Sequence, residues 1–138
     1  MKLKLLVGVL LLLPAPLRAQ GVSLRTVAEQ TRGFWQSQDS RGLVSQGSQL
    51  LLQLPEADPS APVGRAQAAK LLRNYFNHAD EVETRVTDVR EMDGGLGLVE
   101  LRRQFRVRGT QETQEQRILL SYHASGNGWT LVELRISR

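Results

Sequence analysis

The chain has 138 residues, 18 basic against 14 acidic side chains for a formal charge of +4, and no cysteine. The missing thiols exclude a disulfide scaffold, a cysteine metal site, a thiol nucleophile and lipid attachment at an N-terminal cysteine. The length suits one domain that buries roughly two-thirds of its unfolded surface.

Lys2 and Lys4 precede an apolar run from Leu5 to Leu13, which Pro14 and Pro16 break before Leu17-Arg18-Ala19. That run is too short for a bilayer, which needs roughly 20 apolar residues. Charge, apolar stretch and small-residue site in this order read as an export signal cut after Ala19. Residues 20–138 are then expected as a single domain in a periplasm or outside the cell, with no membrane span after cleavage. Lys2, Lys4 and Arg18 would leave with the leader, so the remaining chain carries only +1. That small excess gives no support for a nucleic-acid partner. Lys70 is the only lysine beyond the leader.

Ser23 is placed to cap a helix. Leu24, Val27, Ala28, Thr31, Phe34 and Trp35 share one helical face, and Gly33 could admit a close neighbour. Asp39-Ser40-Arg41-Gly42 reads as a turn or a new helix start. Ser48 to Leu54 reads as a short strand ended by Pro55, with Leu50, Leu52 and Leu54 on one side and Leu51 on the other. A polar loop leads to a second cap at Ser60 and a helix over about 61–77, with Ala68, Leu71, Leu72, Tyr75, Phe76 and Ala79 on its apolar face.

Four strands follow: Glu81 to Met92, Leu96 to Arg108, Gln111 to His123 and Trp129 to Ser137. The turns between them carry Gly and Asn, which tolerate positive φ, and short turns make neighbouring strands antiparallel. Alternation places Val99, Leu101, Arg103, Phe105 and Val107 on one face, with Ile118, Leu120 and Tyr122. In the last strand it sets Thr130, Val132, Leu134 and Ile136 against Trp129, Leu131, Glu133 and Arg135. The apolar face must curl over the preceding helices, which predicts an α+β fold with N-terminal helices on a strongly curved antiparallel sheet.

Several segments in this order carry a resemblance: Asp39 to Leu43, Leu52-Gln53-Leu54-Pro55, Ser60, Ala66-Gln67-Ala68, Leu71 to Phe76, and Trp129 to Ile136. The chain resembles the nuclear-transport-factor-like cone of the cystatin-like α+β folds. More narrowly, it is similar to a group of small exported bacterial domains of unknown function. Some cone-shaped relatives are isomerases or dehydratases that use a buried carboxylate or His as a base. The resemblance thus implies a candidate pocket at Trp35, Tyr75, Arg103 and Tyr122, in which Arg103 could hold an anion; the alternative is an Arg at the cone mouth whose stem packs on apolar neighbours while its head reaches water or Glu.

The inward face offers no Asp, Glu or His at its centre on simple alternation, and Asp88 reaches inward only if a bulge shifts its strand. Catalytic residues are therefore expected to be none. His78, Asp80 and Glu81 make only a partial cluster, so no metal is expected, and no cofactor. The outer face gathers Arg102, Arg106, Arg117 and Arg135 with Trp129 and Leu131, a candidate interface because Arg and aromatic residues favour interface cores. The chain reads as an exported non-enzymatic domain that binds a protein partner or small ligand, with a homodimer as one form. The alternative is an isomerase- or dehydratase-like enzyme using the cone pocket.

Overall fold

The computed structural model describes residues 21–138, so the expected leader and its expected cleavage site lie outside the described residues. Helix α1 (Leu24–Gln36) starts where Ser23 accepts the Thr26 N–H, and α2 (Ser40–Val44) starts where Asp39 accepts the Gly42 N–H. Each cap satisfies an amide that the first turn leaves free. Strand β1 (Gln49–Gln53) is followed by a two-residue β2 (Val63–Gly64) and by α3 (Arg65–Phe76). Four long strands complete the chain: β3 (Ala79–Met92), β4 (Leu96–Val107), β5 (Thr113–Ser125) and β6 (Gly128–Ser137).

Helix α3 begins later than its apolar period suggests. Ser60 does not cap it; Gly64 stands at that position with no side-chain bond. The Ser60 hydroxyl accepts the Leu52 N–H, and the Ser60 N–H donates to the Leu52 carbonyl, both at 2.8 Å. The serine pins the loop onto β1 and leaves Pro62 outside the helix.

The sheet order is β2-β1-β6-β5-β4-β3. All neighbours are antiparallel except β1 and β6, which run parallel. The helices cover one face. Leu24, Ala28 and Trp35 of α1 and Leu72 and Phe76 of α3 meet Leu101, Ile118, Leu120, Leu131 and Leu134 in one continuous core. Trp35 meets Phe76 edge to face at 5.0 Å. Gly94 and Gly95 turn β3 into β4 with φ of +81° and +75°, where a side chain would be strained.

Three bulges decide which residues face the core. On β3 the register skips Val82 and then Thr87; on β6 it skips Val132. Each extra residue exchanges the two faces of the strand beyond it. The β6 bulge corrects the alternation expected from the sequence. Leu131 faces the core and is fully buried, as Leu134 and Ile136 are, and Trp129 packs against the core edge. These two therefore do not belong to the outer face. The β3 bulges also settle Asp88, which pairs opposite Glu100 on the outer face.

Close approach is needed at Gly97, not at Gly33. A Cβ on Gly97 would lie 2.9 Å from both Leu24 Cδ2 and Trp129 Cζ3, whereas Gly33 has open space beside it.

Candidate functional site

Arg103 sits in mid-strand on β4, and simple alternation turns it inward. Its side chain is fully buried. The Val82 bulge turns Glu81 to the same side, opposite Phe105. Arg103 Nε donates to Glu81 Oε2 at 3.0 Å, and Nη2 donates to Oε1 of the same carboxylate. Nη1 donates to the Tyr75 hydroxyl at 2.7 Å and to Gln116 Oε1 at 3.1 Å. The Tyr75 hydroxyl in turn donates to Gln116 Oε1 at 2.5 Å. Four of the five guanidinium donors are thus used inside the protein.

The guanidinium also lies against three rings, Phe105 at 4.0 Å, Tyr75 at 5.3 Å and Trp35 at 5.4 Å. Such contacts strengthen when water is excluded. Burial pushes the Glu81 carboxyl above its ordinary pKa, and the Arg103 charge opposes that rise. Burial also raises the Tyr75 phenol, again against Arg103.

The structure brings Trp35, Tyr75 and Arg103 together but sets Tyr122 apart. Tyr122 donates to Gln46 Oε1 at 2.9 Å and shares a 2.8 Å bond with Thr31, whose hydroxyl also reaches the Val27 carbonyl. Burial raises the Tyr122 phenol strongly. This second buried polar knot ties α1 and the segment after α2 to β5.

Glu81 is the residue that alternation missed. Val82, Thr84 and Val86 suggest an even-numbered inward face, yet one bulge lies at Val82 and a second at Thr87. A usable signal was Arg103 itself, since a buried guanidinium demands a carboxylate partner. Of the two readings of Arg103, the one in which its head reaches a Glu of the same chain is what the structure shows.

The outer face is arranged in rows. Arg85, Arg102 and Arg117 are directly opposite one another on β3, β4 and β5. The row on one side is Glu83, Gln104 and Glu115; the row on the other is Asp88, Glu100, Leu119 and Arg135. Beyond the latter come Arg90, Leu98, Ser121, Glu133 and Leu51. Arg106 lies further along, opposite Asp80 and Thr113. A groove of about 440 Å³ crosses these rows, with Leu98 and Leu119 half-buried in it. Three surface ion pairs line it: Arg90 with Asp88 at 2.8 Å, Arg117 with Glu100 at 3.4 Å, and Arg135 with Glu133 at 2.9 Å. Among the described residues, His78, Asp80 and Glu81 form no metal-type cluster with each other or with other acids.

Helices wrapped by this curved mixed sheet define the nuclear-transport-factor-like cone, an α+β fold of the cystatin-like kind. Solved structures agree. A ketosteroid isomerase-like protein from Erwinia carotovora atroseptica matches with a TM-score of 0.68 at 12% identity, over 87% of this chain and 96% of its own. A DUF4783 family protein from Bacteroides ovatus matches with a TM-score of 0.64 at 14% identity, over 85% of this chain and 94% of its own. A domain of unknown function with a cystatin-like fold from Nostoc punctiforme matches with a TM-score of 0.60 at 18% identity, over 83% and 74%. At these identities the likeness is one of fold. No protein-family model and no curated protein matches the chain.

Proposed function

We propose that the chain is a non-enzymatic binding domain, exported as its leader suggests, that works through the outer face of its sheet. The observation that carries this reading is the buried pair of Arg103 and Glu81. Each consumes the other's chemistry: the carboxylate has both oxygens engaged, and the guanidinium is fully buried with four of its five donors used, so neither is available to a substrate. The outer face has a groove with apolar residues between charged walls. Its rows are also self-complementary. A two-fold axis parallel to the rows, between the arginine row and the Asp88–Glu100 row, would set each on the other in a second copy. A homodimer is therefore the first occupant to test.

Sedimentation of the mature chain across a wide concentration range is the decisive measurement. Self-association that weakens about tenfold or more in a Leu98→Gln/Leu119→Gln variant supports the reading. A monomer at every concentration sinks the homodimer. The enzyme alternative would return if a bound small molecule were found to separate Arg103 from Glu81.

A further inference from the structure

Arg102 stands between two like charges. Directly opposed residues on antiparallel strands have Cβ atoms about 5 Å apart, and like charges so placed repel. Arg85 and Arg117 flank it at that spacing on either side. Arg85 has Glu83 at 3.7 Å and Arg117 has Glu100 at 3.4 Å, but Arg102 has no salt bridge among the described residues. Glu100, the acid two residues away on the same face, is already held by Arg117 and by the Thr87 hydroxyl at 2.8 Å.

A hollow of about 230 Å³ opens beside Arg102, lined by Arg102, Arg117, Arg138, Glu115 and Gln116. Its volume is the share of about eight liquid waters, enough for a phosphate group and part of its hydration. Three arginines and one acid, Glu115, line it; Arg117 and Arg138 each have an ion-pair partner outside the lining, and Arg102 has none among the described residues. Arg138 reaches the hollow from the end of β6, and its own partner, Glu56, is highly exposed, so that pair is readily exchanged. Converging planar forks are suited to bidentate contact with phosphate oxygens.

We propose that this hollow is a binding site for a doubly charged phosphate group, with Arg102 as its unpaired ligand, Arg117 beside it on β5 and Arg138 beyond Arg117 at the end of β6. The bound group relieves the repulsion within the arginine row. Glu115 sets the site's selectivity by opposing excess negative charge. The site shares Arg117 with the groove at Leu98 and Leu119, and a second copy seated there would compete with phosphate for Arg102.

Calorimetric titration of the full chain with inorganic phosphate, at constant ionic strength held with sodium chloride, tests this. Saturable one-site binding is expected. Arg102→Gln should weaken it about tenfold or more, the usual worth of a charged hydrogen bond, while Glu115→Gln should strengthen it. Phosphate should raise the melting temperature of the parent chain and leave that of Arg102→Gln unchanged. Without phosphate, Arg102→Gln should melt no lower than the parent, which separates loss of the site from loss of the fold. A second arm uses vesicles of phosphatidic acid in phosphatidylcholine. Co-sedimentation with them, lost in Arg102→Gln, assigns the phosphate to a lipid headgroup; binding of soluble phosphate without it assigns a small solute. No saturation by tens of millimolar phosphate, with no vesicle binding, overturns the proposal. So does equal binding by the parent and Arg102→Gln. Repeating the titration on Leu98→Gln/Leu119→Gln separates phosphate binding from self-association.

Discussion

Arg103→Met isolates what the buried pair contributes. Methionine retains much of the apolar stem but removes four hydrogen bonds, two to Glu81 and one each to Tyr75 and Gln116. The Glu81 side chain is 2% exposed, so it cannot recover its solvation without moving. Breaking a buried pair from one side costs about 3–5 kcal/mol. Replacing both members with apolar side chains, Glu81→Leu with Arg103→Met, should cost no more than about 1 kcal/mol, because no buried charge is left and Tyr75 can still donate to Gln116. Urea unfolding of the parent, both single variants and the double variant measures the coupling between the two sites.

The pH dependence supplies an independent check. The folded Glu81 pKa lies above its ordinary value, so ionisation works against the fold as pH rises from the unfolded pKa through the folded one. Arg103 is the main influence opposing that rise. Without it the folded pKa climbs further. The deficit of Arg103→Met should therefore widen from about pH 4.5 toward neutrality and narrow on acidification, where Glu81 is neutral. A loss below about 1 kcal/mol at neutral pH, or a deficit that grows on acidification, would refute the account of this pair.

Two glycines make opposite predictions. Gly97→Ala puts a methyl group 2.9 Å from carbons of Leu24 and Trp129, so urea unfolding should register a loss of about 1–3 kcal/mol. Gly33→Ala adds a better helix former near the end of α1 with open space beside it, and thermal melting should show a gain of about 0.5–1 kcal/mol.

Residues whose surroundings are local were legible in the sequence. Ser23 and Asp39 cap helices because a hydroxyl or carboxylate reaches an amide within three residues, and the inward series Val99, Leu101, Arg103, Phe105 follows from an unbroken strand. Ser60 misled because its partner, Leu52, lies eight residues back on β1 and not in the following helix. Leu131 and Glu81 were misplaced for one reason: a bulge is a property of two paired strands and leaves little trace in either alone. The candidate pocket was affected most. Arg103 was visible as an inward cation, while its carboxylate lay beyond a skipped residue. The outer arginines were legible, but their alignment into one row emerges only when three strands are set in register.

The sheet has two unequal margins. β2 ends it on one side after only two residues, and β3 ends it on the other with fourteen. A long bare margin invites another chain to add a strand. Here β3 is broken by bulges at Val82 and Thr87 and carries charges at Asp80, Glu83, Arg85, Asp88, Arg90 and Glu91. An incoming strand would meet interrupted spacing and alternating charge, and at β2 it would find almost no ladder to extend. The bulges that place Glu81 beside Arg103 thus also discourage growth of the sheet into a fibre.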